Sequence, residues 1–180
     1  MEVIEGKMPF MGYETYYRIV GRRSEKTPLV LLHGGPGSSH NYFEVLDKLA
    51  EIDNRRIIMY DQLGCGKSSI PDDHPELYTK ETWVKELMAL REHLALRKIH
   101  LLGQSWGGML ALIYMCDYHP VGIQSLILSS TLSSASLWSK ELHRMIKYLP
   151  IEEQSAIHRA ELTSNCLLYT SDAADDLLCV

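Results

Sequence analysis

Short apolar runs that alternate with helical patterns constrain the fold of this chain more than any other feature. The runs occupy residues 28–33, 56–60, 98–102 and 123–128. Each is nearly continuously apolar, as strands are when they are buried on both faces of a parallel sheet. Helical spacing of apolar residues appears between the runs, at residues 39–51, 79–96 and 106–118. This alternation predicts right-handed crossovers and a mostly parallel α/β sheet flanked by helices.

The predicted helices also indicate which side chains face the core. The helix over 39–51 has Ser38 and Ser39 as candidate N-caps. Its apolar side chains fall largely on one side: Tyr42, Phe43, Val45, Leu46 and Leu49. In the helix over 79–96, the charged residues, Glu86 among them, are expected on the face exposed to water. Residues 106–118 are small and apolar, which predicts a helix buried against the sheet.

Two segments depart from this alternation. Residues 13–20, YETYYRIV, are rich in tyrosine and β-branched residues, which predicts an early antiparallel strand near a sheet edge. Residues 131–162 contain no strand-like run. They predict two helices, at about 136–148 and 151–162, separated by Pro150. We expect these helices to begin a lid inserted into the sheet domain.

Composition excludes several classes of protein. A chain of 180 residues with 46% apolar and 23% charged residues can bury a core of its own. Its net charge of -5 is spread over segments of mixed sign without a Lys/Arg cluster, which argues against a nucleic-acid partner. No apolar run reaches the ~18 residues of a membrane span, and the first residues lack a signal-peptide pattern. We therefore expect no membrane partner and a cytoplasmic location, whereas oligomeric state has no signal in the sequence.

The cysteines and histidines show no pattern typical of disulfides or metal sites. The chain has four cysteines without a C-x-x-C pair, and we expect free thiols at Cys65, Cys116, Cys166 and Cys179. Its eight histidines stand singly, without an H-x-x-x-H or H-E-x-x-H pair. We therefore expect neither a metal nor another cofactor.

A possible nucleophile lies in the segment GQSWG at residues 103–107, which fits the pattern G-x-S-x-G. It follows an apolar strand directly and precedes a buried helix, the setting of a nucleophile elbow. Such a turn strains the serine backbone, and the two glycines keep the strand and the helix from colliding. The hydroxyl then points out from the carboxyl end of the sheet, beside a helix N-terminus that favours negative charge. We predict that Ser105 is a catalytic nucleophile, the simpler alternative being a tight turn with a solvated serine.

The segment HGGPG at residues 33–37 also follows a buried strand. Its glycines let backbone N–H groups face a ligand without obstruction by side chains. Acyl transfer at Ser105 needs such donors for the oxyanion of its tetrahedral intermediate. The expected donors are the N–H groups of Gly35 and of Trp106, the residue after the nucleophile. We expect His33 to have a structural role at the strand end rather than to act as the base.

A third segment, DQLGCGKS at residues 61–68, ends like a phosphate-binding loop. The pattern G-x-x-x-x-G-K-[ST], however, requires glycine where this chain has Asp61. We therefore expect a loop after a strand, in which Gly64 and Gly66 turn the chain and Asp61 is hydrogen-bonded.

In this order and separation, HGGPG, DQLGCGKS and GQSWGG resemble the proline iminopeptidases, which are serine aminopeptidases of the α/β-hydrolase fold. The similarity covers roughly residues 5–162. It implies that Ser105 is the nucleophile, that Gly35 and Trp106 form the oxyanion hole, and that the helices after Ser130 begin a cap. It also implies an enzyme that removes an N-terminal residue, often proline, from short peptides through an acyl-enzyme.

The acid and base that would activate Ser105 are expected outside this chain. In α/β-hydrolases an Asp or Glu and then a His follow the serine on loops after later strands, and nothing after Ile127 resembles such a strand. His119, His143 and His158 fall on predicted helices. The resemblance therefore implies a hydrolase core truncated before its last strands, with little or no peptidase activity of its own.

The C-terminal residues suggest a reason for this truncation. Residues 166–175, CLLYTSDAAD, match one reading frame of the transposon-end adapter used to prepare sequencing libraries. We therefore expect residues 166–180 to be a non-native tail, the alternative being a genuine acidic C-terminus. The expected organisation is part of a hydrolase core at 1–130, the beginning of a helical cap at 131–165, and this tail.

Two other functions remain open on the sequence. The same elbow could serve an esterase or amidase acting on another acyl substrate, since the fold and the nucleophile do not fix the leaving group. A non-catalytic binding protein of the same fold is the second alternative. Such a protein would have no need of both Ser105 and the HGGPG loop.

Overall fold

Six strands form one sheet in the part of the chain that the computed structural model describes, residues 1–163. They are β1 (Val3–Phe10), β2 (Tyr13–Val20), β3 (Leu29–Leu32), β4 (Ile57–Tyr60), β5 (Ile99–Gln104) and β6 (Ile123–Ser129). Their order across the sheet is β1-β2-β4-β3-β5-β6. Strands β4, β3, β5 and β6 run parallel, whereas β2 is antiparallel to both β1 and β4. The predicted mostly parallel α/β sheet is therefore confirmed.

The helices connect or follow these strands. They are α1 (Asp47–Ile52), α2 (Lys80–His93), α3 (Trp106–Tyr118), α4 (Ala135–Ile146) and α5 (Ile151–Thr163), with short 3-10 helices at His40–Leu46 and Pro75–Leu77. Helix α2 begins after Thr79, whose side chain accepts a hydrogen bond from the Thr82 N–H, as an N-cap does. Helix α3 has the bounds that the sequence predicts.

The single helix predicted over residues 39–51 is wrong in its first half. Residues His40–Leu46 form a 3-10 helix, and Ser39 precedes it without a capping side-chain hydrogen bond. Because a 3-10 helix has three residues per turn, apolar residues spaced for an α-helix do not share one face. Phe43 is buried, but Val45 is 80% exposed.

The core lies on both faces of the sheet because neighbouring strand residues point in opposite directions. Val30 and Leu32 of β3 share a buried cluster with residues of α2 and α3. Leu29 and Leu31 share a second cluster with Phe43, on the opposite face. All four β3 residues are buried, as are all four residues of β4, so these apolar runs do mark strands that are covered on two sides.

Strand β6 departs from the predicted burial on both faces. Within residues 1–163 it pairs with β5 alone and forms one edge of the sheet. Ile127 and Leu128 are each 43% exposed. The apolar run thus identifies the strand correctly, but its side chains are only partly covered. An unpaired apolar edge is a place where a sheet can accept a further strand.

Glu86 of α2 is fully buried, so the prediction that it faces water is wrong. Its carboxylate accepts hydrogen bonds from the Leu63 N–H, at 3.0 Å, and from the Thr15 hydroxyl. These donors offset the cost of burying the carboxyl group. Burial raises the pKa of Glu86 from 4.5 to about 7. Because the folded state holds this proton more tightly than the unfolded chain, the contribution of Glu86 to stability falls as the pH rises between these values.

The chain divides into two compact units, the first being Met1–Thr131 and the second beginning at Leu132. In the second unit, the Ser134 hydroxyl caps α4 by accepting from the Leu137 N–H, at 3.2 Å. Helices α4 and α5 are the two that the sequence predicts on either side of Pro150. Their role as the beginning of a lid stays a prediction, and the proposed tail at 166–180 lies outside the described residues.

None of the helices within residues 1–163 is both long enough and apolar enough to cross a lipid bilayer.

Candidate active site

Ser105 lies between the carboxyl end of β5 and the first residue of α3. Its backbone has φ 52° and ψ -120°, a strained conformation for a residue with a side chain. The Ser105 N–H donates to the Ser129 carbonyl at 3.0 Å, and the Ser105 carbonyl accepts from the Gly108 N–H at 2.9 Å. The Thr131 hydroxyl donates to the same carbonyl at 2.6 Å. These contacts hold the turn, while the Ser105 hydroxyl itself makes no hydrogen bond within residues 1–163.

Close packing requires glycine at positions 103 and 107. A Cβ atom on Gly107 would lie 2.0 Å from the Leu32 carbonyl oxygen, at the end of β3. A Cβ atom on Gly103 would lie 2.3 Å from the Gly107 carbonyl oxygen. The first turn of α3 therefore rests directly on the backbone of β3 and β5, which fixes where the serine projects.

Replacing Gly107 should destabilise the fold severely. We expect Gly107→Ala to lower the free energy of unfolding by about 3 kcal/mol, because the new methyl group meets backbone atoms that cannot turn aside. Gly12→Ala is the matched control, since Gly12 has φ 84° but no atom within 4 Å of the added Cβ, and only backbone strain of about 1 kcal/mol is expected. Urea denaturation of the chain measures both changes. Equal losses in the two variants would show that packing at Gly107 is not the determinant.

The HGGPG loop, residues 33–37, passes beside Ser105. A Cβ atom on Gly34 would lie 3.1 Å from the Ser105 Cβ. The Gly34 N–H donates to the Tyr42 hydroxyl at 2.7 Å, and that hydroxyl donates to Gln104 Oε1 at 2.9 Å. Gly35 has φ 111°, a conformation that favours glycine. Its N–H makes no hydrogen bond within the described part of the chain, so it remains available to a ligand.

The second donor that the sequence predicts is the backbone N–H of Trp106. It is the first residue of α3, and the first N–H groups of a helix have no acceptor within the helix. They also lie at the positive end of the helix dipole. The indole Nε1–H donates to Gln62 Oε1 at 2.9 Å, and the ring packs edge to face on Trp83 at 5.2 Å between centroids. The side chain is thus fixed, and the backbone N–H lies next to Ser105.

His33 has the structural role that the sequence predicts. Its Nε2 accepts from the Gln62 N–H at 2.9 Å, so the ring proton is on Nδ1, which lies 2.8 Å from the Gly34 carbonyl oxygen. Burial lowers the pKa of His33, which keeps the ring neutral. Because both ring nitrogens are engaged, His33 is not placed to take a proton from Ser105.

The segment 61–68 forms the predicted hydrogen-bonded turn after β4. The Asp61 carboxylate accepts from the N–H groups of His40, at 2.7 Å, and Lys67, at 2.8 Å. Burial acts to raise the pKa of Asp61, but hydrogen bonds from His40 and Lys67 outweigh it and the pKa is lowered. Gly64 and Gly66 have φ values of 88° and 51°, which confirms that they turn the chain.

The histidines after Ser105 have other positions and partners. His119 ends α3, at the opposite end of that helix from Ser105. In the second unit, His143 and His158 contact Glu161 at 2.7 Å and 3.3 Å. No hydrogen bond within residues 1–163 joins a histidine to the Ser105 hydroxyl, so the described residues place no base beside the predicted nucleophile.

The cysteines of the described region are two free thiols. Cys65 is buried and Cys116 is exposed. Burial raises the pKa of Cys65 to about 11, so this thiol is unreactive near neutral pH. Cys166 and Cys179 lie outside the described residues. Residues 1–163 contain no group of three or more His, Cys, Asp or Glu side chains arranged to hold a metal ion.

Three residues of the site are missed by sequence reasoning: Tyr42, Gln62 and Gln104. Tyr42 is predicted only as part of an apolar helix face, yet its hydroxyl accepts a hydrogen bond from Gly34 of the HGGPG loop. Gln62 lies two residues after the end of β4, and Gln104 is the last residue of β5. The carboxyl ends of parallel strands lie at the same edge of a sheet, and polar residues at these ends are the signal that could have identified both glutamines.

The sequence was compared with protein families and with curated proteins. A profile of the family described as alpha/beta hydrolase fold matches residues 27–179. The proline iminopeptidase of Lactobacillus crispatus (strain ST1) is 99% identical over 165 residues, which are 92% of this chain and 56% of that protein. The chain thus spans about half the length of the curated relatives it matches.

Two solved structures resemble the described fold. The crystal structure of VinJ has a TM-score of 0.81 and 35% sequence identity, covering 89% of this chain and 55% of that one. The proline iminopeptidase of Mycobacterium smegmatis has a TM-score of 0.77 and 34% identity, covering 91% of this chain and 56% of that one. The sequence is thus similar to those of proline iminopeptidases, and the chain belongs to the α/β-hydrolase fold family.

Proposed function

We propose that the chain is part of a serine aminopeptidase that releases an N-terminal residue, with proline expected, from short peptides through an acyl-enzyme. The observation that carries this proposal is the backbone of Ser105, strained at φ 52° and ψ -120° beside the HGGPG loop. A strained serine at a strand–helix turn is typical of a nucleophile elbow. The similarity to proline iminopeptidases supports the choice of substrate.

In the proposed reaction, Ser105 Oγ attacks the carbonyl carbon of the first peptide bond while a histidine takes the hydroxyl proton. The carbonyl oxygen becomes an oxyanion that accepts hydrogen bonds from the N–H groups of Gly35 and Trp106. The histidine then gives its proton to the leaving amine as the C–N bond breaks. Water releases the amino acid from Ser105 and restores the hydroxyl.

The histidine and the carboxylate that orients it belong, in this proposal, to the part of the relatives that the chain does not span. In this proposal the second unit, beginning at Leu132, is the start of a helical cap. The reaction needs no cofactor, and we place the protein in the cytoplasm.

A substrate panel tests this proposal on what we call the completed protein. In it, residues 1–165 of this chain are joined to the C-terminal part of the Lactobacillus crispatus relative that lies beyond the matched 165 residues. We expect prolyl p-nitroanilide to be hydrolysed with the highest kcat/KM among anilides of N-terminal residues. N-acetyl-prolyl p-nitroanilide, which lacks the free amine, is the matched control and should not be hydrolysed.

The two alternative functions give different outcomes in the same panel. An esterase or amidase would prefer simple acyl esters and would tolerate the acetylated substrate. A non-catalytic binding protein would hydrolyse none of the compounds. Either result would reject the aminopeptidase proposal.

A further inference from the structure

We propose that Gln62 is a positioning residue that fixes the two segments of the oxyanion hole relative to each other. The proposal rests on the function proposed above for Ser105. It concerns the segment 61–68, which the proposed reaction otherwise leaves without a role. Gln62 does not touch the substrate in this account; it acts through His33 and Trp106.

Gln62 makes three hydrogen bonds to these two residues. Its backbone N–H donates to His33 Nε2 at 2.9 Å, and its side-chain Nε2 donates to the His33 carbonyl at 3.0 Å. Its side-chain Oε1 accepts from the Trp106 indole Nε1–H at 2.9 Å. One side-chain amide thus joins the residue that begins the HGGPG loop to the residue that follows the nucleophile.

The burial of Gln62 makes these bonds difficult to replace. Gln62 and His33 are both 0% exposed, so water cannot take over a lost partner. A buried donor or acceptor that loses its partner carries the full cost of its desolvation. The neighbouring segments would therefore have to move to satisfy those groups.

The loop that carries Gln62 is itself held on both sides. The preceding residue, Asp61, accepts hydrogen bonds from the N–H groups of His40 and Lys67. The following residue, Leu63, donates its N–H to Glu86 and accepts from the Trp83 indole at 3.1 Å. The position of Gln62 is thus fixed by its neighbours, and its own hydrogen bonds align the two oxyanion-hole segments.

Loss of the alignment by Gln62 should affect the transition state more than substrate binding. Oxyanion donors act at about 2.7–3.1 Å from the developing charge, so small displacements remove much of their effect. Loss of the Gln62 side chain should therefore lower kcat while leaving KM nearly unchanged. A purely structural role of the loop would lower stability without this kinetic signature.

The test uses Gln62→Met in the completed protein, because methionine has a similar length and keeps the backbone N–H that binds His33. We expect kcat for prolyl p-nitroanilide to fall at least tenfold with KM changed less than about twofold, since loss of one donor outright costs roughly 10²–10³ in kcat. Ser69→Ala is the control just after this loop, where the Ser69 hydroxyl accepts from the Glu14 N–H at 3.0 Å. It should lower the melting temperature and leave kcat unchanged. If Gln62→Met retains kcat, or if both variants lose it equally, the positioning role is wrong.

Trp106→Phe breaks the same bond from its other end. It should also lower kcat, and the double variant with Gln62→Met should be no slower than Gln62→Met alone. Additive losses would show that the two side chains act independently and would overturn the proposal. If Gln62→Met does not fold, Trp106→Phe alone still tests whether this hydrogen bond affects kcat.

A measurement independent of catalysis separates this proposal from the proposed function. With ¹⁵N-tryptophan labelling, Gln62→Met should shift both the indole and the backbone N–H resonances of Trp106, whereas Ser69→Ala should leave them in place. Unchanged Trp106 resonances in Gln62→Met would overturn the positioning role. Absence of hydrolysis by the unmutated completed protein would instead overturn the proposed function, and the spectra would still decide the role of Gln62.

Discussion

Ser105→Ala in the completed protein should lower kcat for prolyl p-nitroanilide by about 10⁶, because removal of a catalytic serine leaves only the oxyanion hole and substrate binding. The expected loss is large because the alanine side chain cannot form the acyl-enzyme. KM should change little, since the substrate contacts other than the attacking oxygen remain. Steady-state hydrolysis with enough enzyme to detect the residual rate measures the change.

Ser125→Ala provides the matched control. Ser125 lies on β6 at an exposed position, where its hydroxyl is hydrogen-bonded to His100. We expect this variant to retain the unmutated kcat. A Ser105→Ala protein that keeps more than about one hundredth of the activity would be incompatible with a nucleophilic role, given the magnitude expected for such a residue.

The 180-residue chain alone should hydrolyse the same substrate about 10⁶-fold more slowly than the completed protein, since loss of a triad histidine costs about as much as loss of the serine. Within residues 1–163 no histidine is hydrogen-bonded to Ser105, and His33 is engaged at both ring nitrogens. The exposed apolar edge at β6 should in addition favour self-association of the chain.

A serine-directed phosphonate distinguishes a missing base from a misfolded chain. Circular dichroism first establishes whether the chain has the helix and strand content of the described fold. A folded chain that reacts at Ser105 as fast as the completed protein would overturn the expected inactivity. Slow labelling of a folded chain, together with fast labelling of the completed protein, is the expected result.

Strands that are covered on both faces could be predicted from the sequence because burial leaves a continuous apolar run. This applies to β3 and β4, whose residues are all buried. Strand β1 has no such signal, since Val3 and Ile4 are 43% and 46% exposed and polar residues follow them. It pairs with β2 through the backbone, so its formation depends on a neighbour more than on its own pattern. Strand β1 forms the sheet edge, and β2 lies next to it, antiparallel and near the edge as the sequence predicts.

The burial of some individual side chains is predicted wrongly because it depends on contacts or backbone geometry that the local pattern does not contain. Glu86 fits the charged face of α2 by its spacing, yet Thr15 and Leu63 supply donors that let it be buried. Val45 fits an apolar α-helical face, but the 3-10 geometry turns it toward solvent. Neither the donors nor the change of helix type can be predicted from periodicity.

In the candidate site, too, local patterns predict some features and miss the contacts between distant residues. Ser105 and the glycines around it are consecutive in sequence, so the local pattern identifies the elbow. Tyr42 meets Gln104 across 62 residues, and Gln62 meets Trp106 across 44. No local pattern predicts these pairs, because only the tertiary fold brings such distant residues together.

The nucleophilic role of Ser105 is tested most directly by locating the covalent adduct after the completed protein is inactivated with a serine-directed phosphonate. Peptide mass spectrometry should place one phosphonyl group on the peptide that contains Ser105, in proportion to the activity lost. Inactivation with the group on another residue, or full labelling of Ser105 without loss of activity, would contradict the role assigned to this serine.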